Sequence, residues 1–386
     1  MIMESSYSFT ATNAIDMQPY DIRIDGGRLT SCLLSDGRPE PGLMFIPGGL
    51  IDTQVNGYLG HDYSAQNFSM DEALTISLEL GKLGTLQHFP TIVTRPQDTI
   101  VQNIKEIVKA THEYPQARDS ITGIHVEGPF ISKETGPRGA HDPLSVRPAS
   151  IPEFDQWLEV SEGLLKLITL APEAPGAIKL IDHAVKHGVV CAIGHSGASK
   201  NQIDEAFEAG ASVSTHLGNG VYRQLDRFSN PVWPQLTNTK NTITIIADGV
   251  HVSPDLVHIF SMCKDDNHTI LISDLAPVAG LKEKNLKWGN IAVDIADDGS
   301  IRLSGTPYLA GAGSSLLRNL LNYCRFTGKS LSSAVRMATI NPIRTYGLDA
   351  QRVCLTQGKP VEMVMFSTIE DIGTPKKVIS LQGGLI

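Results

Sequence analysis

With 386 residues, 41% of them hydrophobic and 19% charged, the chain has the composition of a globular protein and the length for one large domain with a smaller one beside it. A formal net charge of -9 and the lack of any Lys/Arg block argue against a nucleic-acid or membrane-surface partner and leave a small polar molecule as the expected one. Five scattered cysteines (Cys32, Cys191, Cys263, Cys324, Cys354), with no C-x-x-C pair, suggest neither a disulfide framework nor a cysteine zinc site; they read as reduced thiols. The start, Met-Ile-Met-Glu-Ser-Ser-Tyr, carries no basic segment followed by an apolar one, so the expected compartment is the cytoplasm.

The first 47 residues hold short β-like runs broken by Gly, Pro and Asp, such as Tyr20-Asp-Ile-Arg-Ile-Asp-Gly-Gly. From Gly49 onward, β-rich runs alternate with amphipathic helical patterns, the mark of βα units around a parallel sheet. Eight strands are predicted: 49–54, 85–93, a third ending at Glu127, 164–173, 189–195, 211–216, 242–248 and 269–274. Between them, helices are predicted over 69–83, around Ile100, Ile104, Ile107 and Val108, over 178–187, and over 199–210, where Ser199 suits an N-cap and Gly210 a left-handed C-terminal turn. A β excursion around Asp297-Asp-Gly299 spans 286–303, and β-like segments return from about 350, as in Val361-Glu-Met-Val-Met-Phe. The expected fold is α/β: a (β/α)8 TIM-like barrel at 48–349, with a small β-sandwich domain assembled from 1–47 and 350–386.

Several predicted strands stop at a side chain able to bind a metal or carry a proton. Parallel barrel strands point their C-terminal ends at one face, so Glu127, His195 and His216 at the ends of strands three, five and six can meet on one ion. A catalytic zinc commonly takes three such ligands and keeps one position open. Each of the three alone reads better as a loop cap or a satisfied rim residue; the shared face favours the metal. Asp274, ending strand eight, is the expected general base, since bound zinc lowers the pKa of its water to ~7 and a nearby carboxylate can take the proton. His141, in the breaker-rich loop Pro137-Arg-Gly-Ala-His-Asp-Pro143, could face the metal or be a surface histidine. His251 could be a functional residue or a polar turn residue, and Arg227 could be only a solvated charge.

The stretches Gly48-Gly-Leu-Ile-Asp-Thr-Gln-Val-Asn-Gly57, His125-Val-Glu-Gly-Pro-Phe130, Gly139-Ala-His-Asp-Pro143, Gly194-His-Ser196, Thr215-His-Leu-Gly-Asn219 and Ile246-Ala-Asp-Gly-Val-His251 resemble the N-acetylglucosamine-6-phosphate deacetylases of the amidohydrolase superfamily. The similarity runs in order through nearly the whole chain. It implies a barrel of the amidohydrolase type, metal ligands Glu127, His195 and His216, Asp274 as acid/base, and His141 polarising the acetyl carbonyl. It also implies that Asn219, Gly220, Arg227 and His251 touch an amino sugar phosphate, and that the enzyme is a homodimer in which Arg227 reaches the neighbouring site. Where many amidohydrolases carry His-x-His on the first strand, this chain has Gln54-Val-Asn56, so one divalent metal is expected, zinc first and iron or another divalent ion as alternatives. The loop from Gly218 to Leu236 departs from the family pattern where the substrate head group should bind. Rival readings are another amidohydrolase reaction, such as cyclic amide opening, deamination or removal of a different acyl group, and a silent sugar-binding relative.

Overall fold

The computed structural model describes residues 6–39, 41–282, 286–289, 291–296, 299–367 and 375–379. Eight strands form one all-parallel sheet in sequence order. They are β1 (Leu50–Val55), β2 (Thr85–Val93), β3 (Ile124–Glu127), β4 (Leu165–Leu170), β5 (Val190–Ile193), β6 (Val213–Ser214), β7 (Thr242–Ile245) and β8 (Thr269–Leu271). The sheet closes through a parallel bridge between Val55 and Leu275. There the Asp274 amide donates to the Gln54 carbonyl at 3.0 Å and the Asn56 amide to the Leu275 carbonyl at 2.9 Å. Every residue of β2 is buried, as expected of a strand covered on both faces.

Alternate residues of these strands enter different cores. Leu167, Ala192, Val213 and Ile270 pack with Phe89 in one cluster. Their sequence neighbours Ile168, Cys191 and Ile193 pack with helix residues such as Leu180, Ile181 and Ile203 in another. Period-2 alternation thus separates the barrel interior from the layer under the helices. The helices lie close to their predicted spans: Met70–Lys82, Gln97–Glu113, Ala177–Lys186 and Lys200–Glu208. Ser199 caps the last of these in a reciprocal box with Gln202, and Gly210 adopts a left-handed φ of 109°.

The chain ends build a separate six-stranded sheet, ordered 375–379, 363–367, 43–47, 7–13, 19–25, 28–34. Residues 43–47 and 363–367 pair antiparallel at its centre, so the two ends of the chain are held together. Ile22, Ile24, Phe45 and Met363 form its core. The predicted excursion is a three-stranded antiparallel sheet of Leu286–Trp288, Ile291–Ile295 and Ile301–Leu303; Asp297 and Asp298 of its expected turn lie outside the described residues.

One expectation about the strands needs correction. Regular pairing on β4 to β8 ends two to three residues before the polar side chain that was predicted to terminate each strand. At His195, His216 and Asp274 the backbone instead turns left-handed, with φ of 50°, 32° and 54°. Such a conformation costs a non-glycine residue about 1–3 kcal/mol and persists only where the surroundings over-determine it. At these three positions the chain leaves the strand direction at the rim of the barrel.

Candidate metal centre and substrate cavity

Three layers stack up the barrel axis. Above the apolar cluster lies a hydrogen-bonded layer in which His125 Nε2 is 2.8 Å from Thr169 Oγ1, itself 2.7 Å from Thr215 Oγ1. Burial lowers the His125 pKa to about 4, so this ring is neutral. His125 shares a strand face with Glu127, and that two-residue spacing was the sequence signal that could have revealed it.

The third layer holds the predicted ligands. Glu127 Oε1 lies 3.2 Å from His195 Nε2 and 3.0 Å from His216 Nε2, and the two imidazole nitrogens are 3.1 Å apart. Zinc bonded at ~2.0–2.2 Å in a tetrahedron gives ligand edges of roughly 3.3–3.6 Å, so this triangle is only slightly tighter than an ion would set. The tautomer fits as well. His195 Nδ1 lies 2.9 Å from the Pro137 carbonyl, which can only accept; the ring therefore carries its proton there and turns the Nε2 lone pair inward. Although burial pushes the Glu127 carboxyl up, the adjoining His195 and His216 imidazoles hold it well below its ordinary range. Burial alone would lower His216, yet the Glu127 hydrogen bond and charge raise it. The donor set thus matches a divalent cation of the zinc type.

Glu127, His141 and His195 also cluster closely enough to hold an ion. His141 Nε2 is 3.1 Å from His195 Nε2 but 3.9 Å from Glu127 Oε2. Its Nδ1 accepts from the Thr94 amide at 3.4 Å, which leaves the proton on Nε2. Burial, then the neighbouring His195, drive its pKa well below the usual value, so the ring stays neutral. A neutral imidazole with N–H facing the centre is a hydrogen-bond donor rather than a ligand. This distinction separates His141 from His216.

The first-strand amides act through hydrogen bonds. Gln54 Nε2 donates to Glu127 Oε1 at 2.9 Å and to Asp274 Oδ1 at 3.1 Å, and Asn56 Nδ2 donates to Asp274 Oδ1 at 2.8 Å. Both donors meet the same oxygen, and Asp274 Oδ2 accepts no hydrogen bond among the described residues. Burial, and next the Glu127 charge, push Asp274 up to about 6.

These groups floor a cavity of about 870 Å³. Asn219, Gly220 and His251 line it, as the resemblance implied. Gly220 has φ 58°, and a Cβ there would come within 2.9 Å of His195 Nδ1, so only glycine lets this loop press on His195. Asp248 Oδ2 holds His251 Nδ1 at 2.7 Å, leaving Nε2 as the available ring atom. Arg227, expected to reach the neighbouring site of a dimer, does not line the cavity of its own chain, and its guanidinium lies over the Phe228 ring at 4.6 Å. Three further arginines that the sequence reading passed over, Arg95, Arg223 and Arg302, do line it. Glu173 was also missed; it binds Ser196 Oγ and the Gly197 amide, each at 2.7 Å, and so fixes the turn after His195.

Asp52, fully buried beneath the floor, accepts from the Gln54 amide at 3.3 Å and the Ser273 amide at 3.2 Å, while its Oδ2 has no partner. Burial lifts its pKa to about 7. A carboxyl raised on folding stabilises the fold fully below its unfolded value and loses that contribution as pH rises through the folded value. Asp52→Asn is therefore expected to gain stability relative to the parent between pH 5 and pH 8, by about 2–3 kcal/mol. Urea midpoints at the two pH values measure this, and a mutant-to-parent difference that does not change with pH would contradict it.

The amidohydrolase family model matches residues 45–383, and the chain belongs to that family. It is 30% identical to N-acetylgalactosamine-6-phosphate deacetylase of Escherichia coli O157:H7 over 336 residues, 87% of this chain and 86% of that one. It is likewise 30% identical to N-acetylglucosamine-6-phosphate deacetylase of Vibrio furnissii, over 83% of this chain and 78% of the other. Among solved structures, a mutant N-acetyl-D-glucosamine-6-phosphate deacetylase from Mycobacterium smegmatis, in complex with N-acetyl-D-glucosamine-6-phosphate, superposes with a TM-score of 0.85 at 26% identity, covering 99% of both chains. The N-acetylglucosamine-6-phosphate deacetylase of Thermotoga maritima gives 0.82 at 25% identity over 98% of both.

Proposed function

We propose that the chain hydrolyses the acetamide of an N-acetylated hexosamine 6-phosphate, yielding acetate and the free amino sugar phosphate. The observation that carries this reading is the convergence on one cavity floor of Glu127, His195 and His216 with an open oxygen of Asp274 and the Nε2–H of His141. Glu127, His195 and His216 would hold one divalent ion, zinc by its donor set, which when bound supplies Lewis acidity and an activated water. His141 donates its Nε2–H to the acetyl oxygen as negative charge develops there. Asp274 takes the proton of the attacking water on Oδ2 and delivers it to the departing nitrogen. Gln54 and Asn56 hold Asp274 Oδ1, so the carboxylate keeps Oδ2 toward the cavity. Asn219, Gly220 and His251 receive the sugar phosphate.

The proposal extends to a cytoplasmic homodimer, and to a division into a barrel at 48–349 and a small β domain from the two ends. No helix among the described residues is long and apolar enough to cross a membrane. The two 30% relatives are named for epimeric sugars, so overall identity does not choose between gluco and galacto substrates. An acetate-release screen of N-acetylated hexosamines, each with and without a 6-phosphate, tests the reading. Release from at least one 6-phosphate is the expected result, and no release from any of them by the zinc-loaded protein would refute it.

A further inference from the structure

The three left-handed rim residues are held in different ways. The His216 amide donates to Thr244 Oγ1 at 2.7 Å, and its carbonyl accepts the Asn219 amide at 2.9 Å. The Asp274 amide donates to the Gln54 carbonyl at 3.0 Å, and its carbonyl accepts the Ala312 amide at 2.8 Å. Those partners are neutral, whereas the turn at His195 is clasped by a carboxylate: Glu173 Oε1 accepts the Gly197 amide and Oε2 the Ser196 hydroxyl, each at 2.7 Å. Resting on the metal centre proposed above, we infer that Glu173 is the positioning residue of that centre: its two-point clasp keeps His195 in the left-handed conformation and thereby sets the affinity for the divalent ion.

Barrel register puts the two partners side by side. Leu170 of β4 pairs with Ile193 of β5, so Glu173 and Ser196 each lie three residues beyond that pair. The backbone at Glu173 is itself set: the Ala171 amide donates to the Phe130 carbonyl at 2.9 Å and the Ala174 amide to the Ala171 carbonyl at 3.0 Å, while Pro172 and Pro175 restrict φ on either side. Beyond the clasp, the Ala198 amide donates to Ser196 Oγ at 3.0 Å, and that hydroxyl passes its own proton to Glu173. The Ser196 amide donates to the Gly220 carbonyl at 3.1 Å, which ties the clasp to the glycine that packs on the His195 ring.

The consequence for metal binding follows from populations. A carboxylate acceptor makes stronger hydrogen bonds than a neutral one, and here both its oxygens act on two adjacent residues. Without them, His195 can relax toward the right-handed region that its side chain ordinarily prefers, which carries Nε2 away from Glu127 and His216. Apparent affinity falls in proportion to the fraction of molecules with all three ligands in place.

The test titrates zinc against a chelator of known affinity in the full-length parent and in Glu173→Ala, Glu173→Gln, Ser196→Ala and Asp266→Ala, with melting midpoints on the same samples. Glu173→Ala should bind zinc about 10–100-fold more weakly, the usual weight of a group that orients a metal ligand. Glu173→Gln should recover most of that loss, because its Oε1 can accept the Gly197 amide and its Nε2 can donate to Ser196 Oγ. Ser196→Ala keeps the Gly197 bond and should lose about 2–10-fold. Asp266 makes a comparable clasp at the opposite end of the barrel, before β8, to Lys329 Nζ at 2.8 Å and Ser333 Oγ at 2.6 Å. Asp266→Ala should therefore lower the melting midpoint and leave zinc affinity unchanged. A parent that binds no zinc would refute the metal centre and this inference together. With zinc bound by the parent, unchanged affinity in Glu173→Ala, a Glu173→Gln variant as weak as Glu173→Ala, or an equal loss in Asp266→Ala would overturn the role of Glu173 alone. If Glu173→Ala does not fold, parental zinc affinity in Ser196→Ala overturns it instead.

Discussion

Asp274→Asn is expected to fold, to bind its metal and to lose about 10²–10⁴-fold in turnover, the usual range for a positioned general acid-base group. The geometry predicts retention of structure because an asparagine oxygen can replace Oδ1 as the acceptor for Gln54 Nε2 and Asn56 Nδ2. The substitution removes the charge on Oδ2, the oxygen left without a hydrogen bond, so the side chain can no longer take a proton from water or return it to an amine. A steady-state kcat, a melting midpoint and a metal assay on the same preparation separate these effects. A variant with intact metal and near-parental turnover would remove Asp274 from the reaction.

The second large effect concerns the ion itself. One equivalent of divalent metal per chain is expected, removal by a chelator should abolish turnover, and a single equivalent of zinc should restore it. The reason lies in Gln54 and Asn56. Their amide nitrogens donate to Glu127 and Asp274, and an amide nitrogen bearing two protons has no lone pair to offer a second ion. Substituting His195 should be more damaging than disturbing its support at the Pro137 carbonyl. Outer partners of metal-bound histidines are commonly worth ~10–100-fold in affinity, so His195→Ala should lose at least about 100-fold. Two equivalents of metal, both required for activity, would sink the mononuclear centre.

Much of this site is legible in the sequence. Barrel strands are continuous apolar runs, and their order along the chain is their order around the barrel. Glu127, His195, His216 and Asp274 therefore followed from where apolar runs stop. Strand ends were less accurate, because the left-handed turns at His195, His216 and Asp274 are imposed by the rim and leave no local signature in side-chain periodicity. The ambiguity over His141 in its loop was also real. Thr94, 47 residues away, supplies the contacts that make the ring a neutral donor facing the centre.

By itself the sequence determined the α/β alternation, the pairing of both chain ends into a second sheet, and the set of side chains at the barrel mouth. These depend on apolar spacing and strand order, which are properties of the linear pattern. Only the tertiary structure decided what each polar group does. Pro137 sets the His195 tautomer across 58 residues, and Gln54 meets Asp274 across 220. Hydrogen-bond direction, proton location and loop path arise from contacts between segments distant in sequence, and no local pattern encodes them.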